Sequence, residues 1–156
     1  MKYSKQTDLD SFLENCEEKL LASNNRESIK YPSEYVGDEG WDSDRLIKKN
    51  NSFLSTASGV ANVYAIFAAE NGSNEYLLRY VGQTKKRYAR ERLKNHLFKK
   101  HEKTGSKLKD VTDHIKAGGR IKAAWINIEP ESLRHFVEEE LIGKCDPKWN
   151  KHSKKK

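Results

Sequence analysis

Arg92 and His96 stand four residues apart in the run Arg92-Leu93-Lys94-Asn95-His96, and Tyr88 lies four residues before Arg92. On a helix this spacing puts all three side chains on one face, with Leu93 and Leu97 turned toward a core. A guanidinium stays charged and its planar fork matches phosphate oxygens, so Arg92 is suited to hold a phosphate and offset charge building on it. His96 is placed to orient a nucleophile or a tyrosine. Two tyrosines, Tyr64 and Tyr80, fall in runs of strand formers, where a tyrosine commonly serves only as a good β-former with its hydroxyl hydrogen-bonded. A phenol, with a reference pKa of about 10, accepts water's proton at neutral pH only with help from nearby cations. His101, His114 and His152 match no such pattern and read as surface side chains. Taken alone, the run Glu138-Glu139-Glu140 reads as a solvated helix face.

The elements that must position these residues follow from periodicity. Asn62 to Ala68 and Glu75 to Gly82 predict two strands, with Asn71-Gly72 as the turn of a hairpin. A helix is expected from Tyr88 to His101 and a second from Lys107 to a Gly118-Gly119 stop, both exposed and basic on their outer faces. Arg120 to Ile128 predicts a third strand, and Pro130, at a first-turn position, opens a helix with Leu133, Phe136, Val137 and Leu141 inward. The order β-β-α-α-β-α makes an α/β fold: a small three-stranded antiparallel sheet flanked by helices. Ahead of it, residues 1–58 form an N-terminal helical extension. Its amphipathic helix runs from Thr7, with Asp10 completing a capping box, up to Asn24 and Asn25, and carries Leu9, Phe12, Leu13, Cys16 and Leu20. Residues 26–58 are turn-rich, with a short helix from Ser43. Residues 151–156 form a basic tail.

In this order the sequence resembles the GIY-YIG nuclease family over residues 59–150. Val63-Tyr64-Ala65-Ile66 is similar to the first strand of the motif, and Tyr80-Val81-Gly82-Gln83-Thr84 to the second; Arg92 to His96 resembles the helix bearing the family's arginine and histidine. Glu138, followed by Leu141-Ile142 and then Pro147, Trp149 and Asn150, is spaced like the family's metal-binding segment. The resemblance implies a DNA endonuclease that hydrolyses phosphodiester bonds with Mg²⁺, Mn²⁺ substituting, and that is more like compact restriction enzymes than repair or homing members; the alternatives are a repair or structure-selective nuclease of the same family and a non-cleaving nucleic-acid-binding module. The resemblance implies Glu138 as the metal-binding carboxylate, since Mg²⁺ prefers oxygen ligands and keeps several waters. Tyr64 is then the proton acceptor, Tyr80 a positioning group, Arg92 the phosphate grip, and Asn150 a brace for the wall of the site. Three features depart from the family. Asn62 stands where a glycine is usual. Two extra residues precede the arginine helix and make Arg90 a competitor, although the rigid helical distance to His96 favours Arg92. The first 58 residues lie outside the match and fit a clamp, a homodimer contact or a base-reading element.

The chain's 156 residues and net charge of +7 suit one soluble domain with one core. Residues 1–58 carry a net −3 and residues 59–156 a net +10, the polarity expected of a phosphate-backbone binder. Residues 85–109 hold 11 Lys/Arg against 2 acids, and Lys85, Lys86, Arg87, Lys94, Lys99 and Lys100 are the candidate DNA contacts. No apolar run approaches the roughly 20 residues of a membrane span, and the start lacks the apolar core of a secretory signal, so a cytoplasmic protein is expected. Cys16 and Cys145 form no metal or disulfide pattern and read as plain thiols.

Overall fold

The computed structural model describes residues 1–37, 40–100 and 106–150. Among them are helices α1 (Gln6–Leu21), α2 (Ser43–Lys49), α3 (Asn51–Ala57), α4 (Ala89–Leu97), α5 (Leu108–Lys116) and α6 (Arg134–Cys145). The strands are β1 (Glu27–Ser28), β2 (Val63–Ala69), β3 (Leu77–Gln83) and β4 (Arg120–Ile126). They form one antiparallel sheet in the order β1-β4-β2-β3. The sheet therefore has four strands where three were expected. The additional one comes from the extension: Glu27 and Ser28 pair with Ala123 and Lys122 on the outer edge of β4. None of the helices among the described residues is long and apolar enough to cross a membrane.

Strand β2 is central, and all seven of its residues are buried, which is why its sequence is continuously apolar rather than alternating. On one face Tyr64, Ile66, Ala68, Ile121 and Ala123 pack with Leu46, Phe53, Leu54, Leu93, Leu97, Val111 and Ile115 of α2 to α5. On the other, Val63, Ala65, Phe67, Val81, Ala124 and Ile126 pack with Cys16 and Leu20 of α1 and with Val137 and Leu141 of α6. Residues of the extension thus enter both cores. Leu20, Leu46 and Leu54 have no exposed surface, and burying each contributes about 2 kcal/mol.

Several local expectations need correction. Helix α1 begins at Gln6 with Lys5 before it and no side-chain cap, so the box from Thr7 does not form; Asp10 instead accepts a hydrogen bond from Gln6 Nε2 at 3.0 Å. Between β2 and β3 the turn falls at Asn71-Gly72 as expected, with Gly72 at φ 82°, but β3 begins at Leu77 rather than Glu75. Pro130 has an extended backbone and precedes a 3₁₀ turn, Glu131–Leu133, so α6 starts only at Arg134 and Leu133 lies in the turn. Helix α4 ends at Leu97, and the expected end of that helix at His101 lies outside the described residues, as do His152 and the basic tail. His114 is not a plain surface residue: its Nε2 is 2.8 Å from the Ala69 carbonyl and its ring stands edge-on to Trp149. Cys16 and Cys145 are free, and burial raises both thiols above their ordinary range.

Helix α4 is more buried than expected, with Ala89, Leu93, Asn95, His96 and Leu97 inside and its outer face reduced to Arg90, Glu91 and Lys94. The extension causes this. Beyond packing α3 on it, residues 31–43 supply donors to the carbonyls at its end: Tyr31 Oη bonds Leu97 O at 2.9 Å, and Trp41 Nε1 and Ser43 Oγ bond Phe98 O at 2.8 and 2.9 Å. Helix ends leave such carbonyls without intrahelical partners. The segment outside the family resemblance therefore fixes the helix that carries Arg92 and His96.

Three buried asparagines each hold the backbone of a distant residue in one recurring way. Asn62 accepts from Ile128 N–H at 2.7 Å and donates to Ile128 O at 2.9 Å. Asn150 does the same with Val81, at 2.9 and 3.0 Å, and Asn50 with Lys30, at 2.8 and 3.0 Å. Each amide meets both the N–H and the C=O of one residue, which satisfies peptide groups that would otherwise be costly to leave unpaired. This accounts for Asn62 at a position where glycine was anticipated.

Candidate active site

Tyr64 and Tyr80 share one face of the sheet through regular pairing, Tyr64 opposite Gly82 and Ile66 opposite Tyr80. The next pair is Phe67 with Leu78, leaving Arg79 as an extra residue. This bulge ends the alternation, so that Leu78 packs on the α1/α6 side while Tyr80 stays on the side of Tyr64; bulges re-aim side chains in this manner. Their rings lie 6.2 Å apart, with His96 5.5 Å from Tyr64 and 5.1 Å from Tyr80.

His96 is buried and its Nε2 lies 2.8 Å from Tyr64 Oη. Its other nitrogen, Nδ1, accepts a hydrogen bond from the main-chain N–H of Lys107 at 3.0 Å. A neutral imidazole has one donor and one acceptor. With Nδ1 accepting, Nε2 carries the hydrogen and donates it to the Tyr64 oxygen. Burial, with Arg92 and Lys107 adding, pushes His96 down to about 3. It is therefore a fixed neutral donor, not a base, across the physiological range.

Tyr64 has no exposed surface. Burial raises its phenol well above the usual value; Tyr80 and Glu138 add to this, and the charge and hydrogen-bonding influence of Arg92 oppose it. Tyr80, partly exposed, is raised by burial and again opposed by Arg92. Glu138 is half-buried: burial and then Glu139 raise its carboxyl, while Arg92 and a hydrogen bond from Gln83 N–H hold it down. Arg92 is thus close enough to act on Tyr64, Tyr80, His96 and Glu138 together. Residues from β2, β3, α4 and α6 converge on one cluster.

Gly82 sets the depth of this cluster. It pairs with Tyr64 across the sheet, and a Cβ there would lie 2.6 Å from Tyr64 Cε2, Cζ and Oη. Gly82→Ala is expected to destabilise the fold by about 1–3 kcal/mol, the usual cost of overpacking, and to push the hydroxyl off His96. Calorimetric unfolding measures this, and an unchanged melting temperature would contradict the close approach.

Other anticipated residues fall outside the cluster or serve different ends. Tyr88 does not join the stripe of Arg92 and His96, because it lies in the 3₁₀ turn Lys86–Tyr88 where α-helical spacing does not apply. It is exposed, with the Arg87 guanidinium 4.7 Å over its ring. Arg90 points to α3, bonding Asn51 Oδ1 at 2.8 Å and Ser55 Oγ at 3.4 Å. Asn150 holds the β3 backbone immediately beside Tyr80, at Val81. Lys85, Lys99 and Lys100 are exposed, whereas Lys86 pairs with Glu129 at 3.1 Å and Lys94 with Glu91 at 2.6 Å. Such surface pairs are weak enough for a phosphate to displace.

No family model matches the chain, and no curated protein matches it.

Among the described residues, no group of three or more His, Cys, Asp and Glu side chains is gathered as a metal cage. A Mg²⁺ site needs none, since this ion keeps several waters and is commonly bound through one or two carboxylates plus substrate phosphate. The oxygen donors here, Glu138 with the two phenols beside it, suit such a hard cation rather than zinc. Periodicity did not point to three residues at this site. The main-chain N–H of Gln83 faces Glu138 and helps hold its carboxyl down. Arg134, one helical turn before Glu138, bonds Gln83 Oε1 at 2.9 Å. Lys107 follows a segment with no helical pattern of its own.

Proposed function

We propose that the chain is a metal-dependent DNA endonuclease of the GIY-YIG type, hydrolysing phosphodiester bonds in the manner of a compact restriction enzyme. The observation that carries this reading is the Tyr64–His96 hydrogen bond with Arg92 acting on both tyrosines and on Glu138. A cluster built only to bind a backbone would need the cations, not a buried phenol, a partly exposed one and a half-buried carboxylate.

Backbone hydrolysis requires that water lose a proton, that charge on the phosphoryl oxygens be offset, and that the 3′ oxygen leave. Tyr64 Oη is the proton acceptor in this reading. Complete burial denies a phenolate its hydration, so the ionised form depends on the His96 Nε2–H and on Arg92, both of which favour negative charge on that oxygen. Tyr80, the partly exposed phenol, orients the water. Arg92 grips the scissile phosphate with its planar fork. Glu138 would hold Mg²⁺ or Mn²⁺, which when bound stabilises charge on the phosphoryl and leaving oxygens. Lys85, Lys86, Arg87, Lys94, Lys99 and Lys100 supply backbone affinity through counterion release.

The test is incubation of purified protein with plasmid DNA and Mg²⁺, with and without EDTA. Discrete fragments that disappear in EDTA are expected. DNA that is retarded in a gel but stays intact with metal would replace the nuclease by a binding module, and full cutting in EDTA would remove the metal from the mechanism.

A further inference from the structure

Lys107 is the lysine of the basic segment that lies against the candidate site. Lys86, Lys94 and Lys109 each pair with a carboxylate, Glu129, Glu91 and Asp113. Among the described residues Lys107 has no such partner. Its Nζ lies 5.5 Å from the centroid of the Tyr80 ring, while its main-chain N–H is committed to His96 Nδ1 at 3.0 Å. The side chain is half-buried. A long, flexible, strongly hydrated cation is costly to hold in one place, and here the main-chain bond to His96 anchors its root within the cluster.

The charges of the cluster are unbalanced without a ligand. Arg92 and Lys107 bring two positive charges to His96; Glu138 is the carboxylate beside Arg92. A phosphodiester carries one negative charge and gains a second as water attacks, so a second cation in addition to Arg92 has a use once that phosphate is present.

We infer that Lys107 is a substrate-contacting residue of this site, its ammonium gripping a non-bridging oxygen of the phosphate being cut, alongside Arg92. This rests on the nuclease reading and adds a residue to it. Lys107 has two separable roles: the main-chain N–H fixes the His96 tautomer whatever side chain is present, and the ammonium stabilises charge on the phosphate.

The separation makes the test clean. Lys107→Met keeps the aliphatic stem and the N–H to His96 and removes only the charge; Lys109→Met, two residues on, removes the same charge from an exposed lysine. In single-turnover plasmid cleavage with Mg²⁺ at saturating enzyme, Lys107→Met is expected to slow cutting about 100-fold, the usual loss for one preorganised transition-state contact. DNA binding measured by gel retardation should change by less than about threefold, the loss of a single phosphate contact's salt-screened share. Lys109→Met should cut at the wild-type rate, and Lys107→Arg should recover most of the activity. Matching melting temperatures would separate these effects from misfolding. Wild-type protein that cuts, with Lys107→Met cutting equally fast, overturns the role of Lys107 alone. Equal losses for Lys107→Met and Lys109→Met also overturn it, because they would mark a general effect of charge. Wild-type protein that cuts nothing overturns the nuclease reading together with it.

Discussion

Glu138→Gln is expected to abolish plasmid cutting while leaving DNA binding near that of the wild type. Stabilising charge on the reacting phosphate through a bound metal contributes several kcal/mol, and each 1.36 kcal/mol is tenfold in rate, so the loss should be at least about 1000-fold. The fold should survive. Burial already disfavours the charged carboxyl, and a glutamine of the same shape can still accept the Gln83 N–H through its side-chain oxygen. The basic surface is untouched, so backbone affinity remains. Glu139 is the control: it is the next residue on α6 and exposed, and Glu139→Gln should cut normally. Single-turnover cleavage and gel retardation of both variants decide the matter. A dead Glu139→Gln beside an active Glu138→Gln would show that the wrong acid was chosen.

The parts of this molecule legible in its sequence are those with strong local patterns. The apolar run of β2, the positions of α5 and α6 and the order of elements after residue 59 follow from periodicity and turn residues. Strand β1 did not, because two residues carry no period; its existence depends on β4 offering a free edge. Helix α3 was equally hidden: Asn51, Ser52, Ser55 and Thr56 are indifferent helix formers, and burial of Phe53, Leu54 and Ala57 decides its conformation. The burial of α4 was misjudged because its covering groups, Tyr31, Trp41 and Ser43, lie 55 to 66 residues earlier than the carbonyls they bond. At the site, a spacing of four residues puts Arg92 and His96 on one face, but the donor that fixes the histidine is a peptide N–H, and a main-chain group leaves no signature in residue type. The bulge at Arg79 is similar: alternation alone would put Leu78 and Tyr80 on the same face.

Arg92→Lys is expected to slow single-turnover cleavage by about 100-fold or more, and Arg90→Lys to leave it nearly unchanged. Sequence spacing made the two arginines rivals; their surroundings separate them. Arg90 is spent on α3, where its two guanidinium nitrogens bond Asn51 and Ser55, so its replacement should be read in stability, by a modest amount, since these are exposed bonds. Arg92 has the opposite placement. Its charge opposes the rise that burial gives the phenols of Tyr64 and Tyr80 and the carboxyl of Glu138, and it adds to burial in holding His96 neutral. Lysine preserves that charge but not the planar fork, and it is the fork that can meet a phosphate with two parallel bonds while remaining beside Tyr64. The loss should therefore fall on the rate at saturating enzyme, with ground-state binding little altered. His96→Ala belongs in the same assay, because it removes the donor to Tyr64 without changing any charge. A severe defect at Arg90 with near-normal rates at Arg92 and His96 would mean that α4 presents another face to DNA, and the cluster would then be a packing feature rather than the place where the phosphate is cut.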